Sequence, residues 1–155
     1  MKDLANNVIT QQLFTPFSNT QSGTTLQSAV LDLKGKNGAM IVWIVGEHGG
    51  TTSGSLKHHV VLQHSDVTGS GYTNVTKATD VTYGAVDANG IWADVKIAAD
   101  EEKNYQIGYT GTKRFVKIAL VATGNHSAGI PMAMNAITTS IHKPEASSLD
   151  GTATG

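Results

Sequence analysis

Apolar and polar residues alternate along much of this chain with the period of two that marks a β-strand. In TKRFVKIALVATG (residues 112–124), Val116, Ile118 and Leu120 point one way, and Phe115, Lys117, Ala119 and Val121 the other. One face is wholly apolar and the other mixed, so the segment is predicted to be a core strand. AMIVWIV (residues 39–45) is apolar on both faces. Such a strand belongs at the centre of a sheet, covered on both sides or set against another molecule. HVVLQ (59–63), WADVKI (92–97), YQIGY (105–109) and PMAMNAITTSI (131–141) read as further strands, and TLQSAVLDL (25–33) alternates as well.

Turn signals separate these runs. KGKNGA, DVTGSGY, DANG and GYTGTK are rich in residues that favour turns or accept positive φ. The runs themselves favour β-branched side chains, which pack well on a pleated surface and lose rotamer freedom in helices. Short strands at this spacing predict an all-β fold, a two-sheet β-sandwich of jelly-roll type. Three regions follow: an extended N-terminal arm (1–24), the sandwich (25–144) and a polar C-terminal tail (145–155). The arm is polar apart from isolated apolar anchors at Val8, Ile9, Leu13, Phe14 and Phe17.

Composition narrows the function classes. A chain of 155 residues is long enough to bury a core as one domain. It has no cysteine, which excludes disulfides and thiol chemistry. Charged residues make up 15% of it and the net charge is -1, so nothing tracks a phosphate backbone and no nucleic-acid partner is expected. The longest apolar run falls far short of the roughly 20 residues that span a bilayer, and no signal-peptide core precedes it. A soluble protein with no membrane partner is expected.

The candidate chemistry is thin. LKHHVVLQH sets His58 and His64 on one strand face six residues apart, about 20 Å, too far to share one ion. His58 or His59 could meet His48, His126 or His142 only across strands; polar positions near a sheet edge account for them otherwise. No nucleophile elbow is present, and His126 and Ser127 in NHSAG, as strand neighbours, would face opposite ways. GEHGGTTSGS (46–55) lacks the lysine and following helix of a phosphate loop, and DEEK (100–103) reads as a solvated turn. Trp43 is expected in the core, and at least two of Tyr72, Tyr83, Tyr105 and Tyr109 as core or edge fillers. No catalytic residue, cofactor, metal or small-molecule ligand is expected.

The order of motifs resembles that of a family of small virion proteins of tailed bacteriophages and prophages. There, a strand ending in an E/Q-x-S-D turn precedes I-G-Y-x-G-x-K-R-[FY]-V-[RK] and a T-G turn. The matching residues are Gln63, Ser65 and Asp66, then Ile107 to Lys117, within a similarity that spans roughly residues 39–145. The resemblance implies a β-sandwich virion component, a decoration or cement protein on the outer surface of the phage head, made in the host cytoplasm. Its implied partners are the major capsid protein and further copies of itself, as a dimer or trimer. The alternative is a tail- or fibre-associated protein with host-surface or carbohydrate binding. Leu13, Phe14 and Phe17, as exposed apolar anchors, are the expected capsid or subunit contacts.

Overall fold

A computed structural model describes residues 8–140. The strands are β1 (Val8–Asn19), β2 (Thr25–Gln27), β3 (Leu31–Asp32), β4 (Lys36–Val45), β5 (Lys57–Ser65), β6 (Thr73–Asn74), β7 (Val81–Thr82), β8 (Ile91–Val95), β9 (Lys103–Tyr109), β10 (Phe115–Thr123) and β11 (Ile130–Ser140). Two antiparallel sheets pack as a sandwich. One runs β1-β11-β4-β9-β7; in the other, β2 and β3 flank β10, followed by β5 and then β6 and β8. Taking β2 and β3 as one strand and setting aside the two-residue β6 and β7, the eight successive strands lie in the orders 1-8-3-6 and 2-7-4-5. That is the jelly-roll arrangement, as the sequence pattern predicts.

The period-two faces are realised in the core. Val116, Ile118 and Leu120 of β10 are buried against Ile41, Trp43 and Val45 of β4, Val60 and Leu62 of β5 and Met134 of β11 within one cluster. Burying each such side chain stabilises the fold by about 1.5–3 kcal/mol. β2 and β3 are the halves of TLQSAVLDL, interrupted at Ser28. There the Ser28 N–H donates to the Ile118 carbonyl, and the Ser28 hydroxyl accepts the Ile118 N–H, both at 2.9 Å. A side chain replaces a backbone acceptor, and the ladder breaks for three residues.

The N-terminal segment departs from the expected arm. β1 lies along β11 from Val8 opposite Thr139 to Asn19 opposite Ile130, forming an edge of the five-stranded sheet. Its register shifts between Gln12 and Phe14 and again between Phe14 and Phe17. Each bulge resets the alternation, which hides the strand from a period-two search. Leu13 is buried in the core, and Phe14 and Phe17 pack half-buried against it. The sandwich therefore includes Val8–Asn19, within the predicted arm; the tail 145–155 lies outside the described residues.

Candidate functional site

The residues that carry the family resemblance form a structural clip between strands. The Tyr109 ring is buried, and its hydroxyl bonds His64 Nδ1 at 2.9 Å and accepts the Lys113 N–H at 3.2 Å. Gly111 lies against that ring, where a Cβ would come within 2.6 Å of the hydroxyl oxygen. Gly108 passes the β7 edge, where a Cβ would sit 2.5 Å from the Thr82 methyl. Lys113 pairs with Asp66, and Arg114 grips Asp32 through Nε and Nη2 at 2.8 and 2.7 Å. The guanidinium holds the Asp32 carboxyl down at about 2. The Ser65 hydroxyl donates to the Ser70 carbonyl and accepts the Val67 N–H, fixing the turn after β5. Tyr109, Gly108, Gly111, Lys113, Arg114, Ser65 and Asp66 each have a local structural role.

At one end of the sandwich the fold gathers His48, His58 and His126. His48 comes from the loop after β4, His58 from the start of β5 and His126 from the β10–β11 turn. All three rings are buried. The Gly50 N–H donates to His48 Nδ1 at 2.9 Å, so His48 carries its proton on Nε2. That nitrogen lies 3.2 Å from His126 Nδ1, and His126 Nε2 donates to the Thr123 carbonyl at 2.9 Å. The chain of bonds is complete with one proton on each ring, and the Nδ1 lone pair of each accepts a hydrogen bond. Among the described residues, no three His, Asp or Glu side chains converge to hold a metal ion.

His58 stacks on His126, with ring centroids 3.8 Å apart, and neither of its nitrogens has a hydrogen-bond partner among the described residues. Burial, and then the neighbouring His126 and His48, push its pKa down to about 3. Burial also lowers that of His126. Glu101 is buried beside this cluster, accepting the His48 backbone N–H at 3.0 Å and the Thr52 hydroxyl at 2.8 Å. The expected solvated turn at DEEK therefore fails at Glu101, because its carboxylate ties two loops together. His59 faces the opposite side of the sheet, with Lys57 and Asp94 acting on it. His142 lies outside the described residues. His126 and Ser127 diverge as expected, one buried and the other exposed. The assembly is a neutral plug closing the sandwich end.

The outer face of the five-stranded sheet is the more distinctive surface. Outward positions on β4 are Met40, Val42 and Ile44, with Ile44 42% exposed. β11 sets Ala133 beside Ile44, Asn135 beside Val42 and Ile137 beside Met40. On the other flank, β9 places Asn104, Gln106 and Gly108 in the same rows, and β1 adds Gln12 and Thr10. None of these residues carries a charge. Shallow hollows of about 320 Å³ open at the two ends of the face. One is lined by Met40, Ile137, Thr82 and Tyr83, the other by Pro16, Phe17, Ile44 and Ala133. Tyr83 is 78% exposed and holds φ +57, a strained value for a side-chain-bearing residue.

The predicted contact residues thus separate. Leu13 is a core residue and is not available to a partner, while Phe17 lines the hollow at the β1 end. Tyr83 was not singled out as a contact residue in the sequence, whereas Ile44 belongs to a segment expected to be covered or set against another molecule. The signal for Ile44 was present in the two-faced apolarity of AMIVWIV; Tyr83 offered none. Tyr109 and Tyr105 are fillers as expected, Tyr105 packing 5.3 Å from Trp43. Tyr72 lies under the Lys117 ammonium. No helix among the described residues is long and apolar enough to cross a membrane.

No family model and no curated protein matches this chain. Solved structures similar to it include a protein of the Bacillus endospore appendages, described as disulfide-linked pili, with a TM-score of 0.43, 10% identity and coverage of 88% of this chain and 90% of that one. A chain of infectious bursal disease virus, Gx strain, has a TM-score of 0.42, 13% identity and coverage of 86% and 32%. The N-terminal endo-1,4-β-D-xylanase 10B of Clostridium thermocellum, complexed with xylohexaose, has a TM-score of 0.43, 10% identity and coverage of 87% and 25%. A pilus protein, a virus protein and a carbohydrate-active enzyme are thus all similar in shape.

Proposed function

We propose that this chain is a structural protein of a phage-type particle, bound to the outside of the head as a decoration protein. On this reading it acts by binding rather than by catalysis, and its partners are the major capsid protein and further copies of itself. The observation that carries the reading is the outer face of the five-stranded sheet. It presents an uncharged surface carrying the apolar row of Met40, Val42 and Ile44, on a body whose His48, His126 and Glu101 are engaged in its own packing. Contiguous exposed apolar faces of this kind mark macromolecular contacts. The resemblance to virion proteins supports the same conclusion through residues that build strands and turns, with no chemistry attached.

The physical logic is linkage. A molecule bound across the boundary between two shell subunits is released when that boundary opens, so its binding free energy opposes separation. Contacts per copy need only be modest, because many act at once. Phe17 and Ile44, at one end of the face, are apolar anchors for contact with a further copy of the chain, so that two copies act on the shell at once.

Copy number tests the proposal. Quantitative mass spectrometry of purified particles is expected to find this chain in simple ratio to the major shell protein. A handful of copies would favour the tail- or fibre-associated alternative, for which the exposed Tyr83 ring offers a stacking platform for a sugar. Absence from particles would overturn both.

A further inference from the structure

We infer that the outer face of the five-stranded sheet is a two-fold interface between two copies of this chain. The inference rests on the reading of that face as an assembly surface, and names its occupant.

Charge is the first argument. A two-fold axis brings a face against itself, so any charged side chain near the axis meets its own like. The rows of Met40, Val42 and Ile44 with their neighbours on β11, β9 and β1 contain none. The charges sit on the opposite sheet and at the ends. Lys117 lies on the outer side of β10, and Asp94 of β8 lies within 3.9 Å of Lys57 and 3.4 Å of Lys96. A partner of different sequence gains specificity from complementary charge, and the charged sheet offers it. The uncharged sheet suits a copy of itself.

Area is the second. Four strands spaced about 4.8 Å apart, each contributing about seven residues at about 3.3 Å, give a footprint of roughly 450 Å² per copy. Two copies bury about 900 Å² of flat footprint, and side-chain relief raises this to the roughly 1,000 Å² that a specific interface needs. The face combines the apolar row of Met40, Val42 and Ile44 with uncharged polar side chains, Asn135 beside Val42 and Gln12, Gln106 and Asn104 toward the rim. Tyr83 stands exposed at one end, an aromatic of the kind that anchors such contacts.

Val42 occupies the middle row of the face, between Asn135 and Gln106, and is the position to perturb. Light scattering on the purified full chain across the micromolar range is expected to give twice the chain mass for the wild type. Val42→Lys is expected to weaken the dimer at least about 100-fold, because like charges would meet across the axis, while its circular dichroism stays wild type. Ile44→Lys, at a more exposed position, is the second variant should Val42→Lys fail to fold. Lys117→Glu on the opposite sheet is expected to leave the dimer unchanged. A monomeric wild type, a dimer that survives both face variants, or a dimer dissociated by Lys117→Glu would each overturn the inference. None of these readouts uses particles. A solution monomer found in high copy on heads would sink the dimer alone, and a solution dimer absent from particles would sink only the virion reading.

Discussion

The histidine plug makes the stability of this protein depend on pH in a way that can be worked out beforehand. His58 is fully buried, neither of its nitrogens has a partner among the described residues, and its pKa lies at about 3 in the fold against 6.5 unperturbed. The fold therefore requires the neutral ring. Above pH 6.5 the ring is neutral folded or unfolded, and His58 contributes no pH dependence. As pH falls below 6.5 the unfolded chain takes up a proton that the folded chain refuses until about pH 3, so stability is lost through that window. The slope is about 1.4 kcal/mol per pH unit. At pH 5 the loss from His58 alone is about 2 kcal/mol, a sizeable share of the roughly 5–15 kcal/mol of a typical domain. His126, shifted in the same direction, adds to it. Urea denaturation followed by tryptophan fluorescence at pH 5.0, 5.5, 6.0, 6.5 and 7.5 reads this directly, since Trp43 is buried in the core. His58→Leu removes the titrating ring and its two nitrogens. It is expected to flatten the curve between pH 5 and 6.5 by about one proton while keeping stability at pH 7.5 within about 1.5 kcal/mol of wild type. A wild type equally stable at pH 7.5 and 5, or a His58→Leu curve as steep as the wild type's, would refute the reasoning.

Further expectations follow from the clip and the loops. Tyr109→Phe deprives the Lys113 N–H and His64 of their shared partner, and chemical denaturation is expected to show a loss of about 1–3 kcal/mol. Gly111→Ala forces a methyl into the Tyr109 ring and is expected to lower the melting temperature by several degrees, as about 1–3 kcal/mol of overpacking would. Glu101→Gln leaves an amide that cannot accept both the His48 N–H and the Thr52 hydroxyl through carboxylate oxygens. Hydrogen exchange is expected to quicken in the 46–56 loop while β10 stays protected. Arg114→Ala releases the exposed Asp32 pair. Its effect on the denaturation midpoint at pH 7 is expected to be small, and to vanish in acid as Asp32 protonates, because exposed ion pairs contribute little.

Much of the architecture was written in the order of residues. A strand exposes its side chains alternately to two faces, so Val116, Ile118 and Leu120 declared a buried face without reference to anything distant. The same local rule assigned Ala39 to Val45 a central place and gave Trp43 to the core. It also flagged Met40, Val42 and Ile44 as a second apolar face needing cover. Local pattern failed where the chain departs from regular pairing. The bulges of β1 put Leu13 and Phe14 out of alternation, and what reads as a polar arm with stray anchors is an edge strand of the sheet. The sequence allowed His58 or His59 to meet His48, His126 or His142 across strands but could not choose among them. His48 and His126 are 78 positions apart and meet His58 only because the β4–β5 and β10–β11 connections reach the same end of the sandwich. The burial of the three rings and of Glu101, and the desolvation that lowers the pKa of His58 and His126, come from that tertiary packing. Periodicity is a property of neighbours along the chain and can be read there. Desolvation and long-range pairing belong to neighbours in space, and only the folded structure decides them.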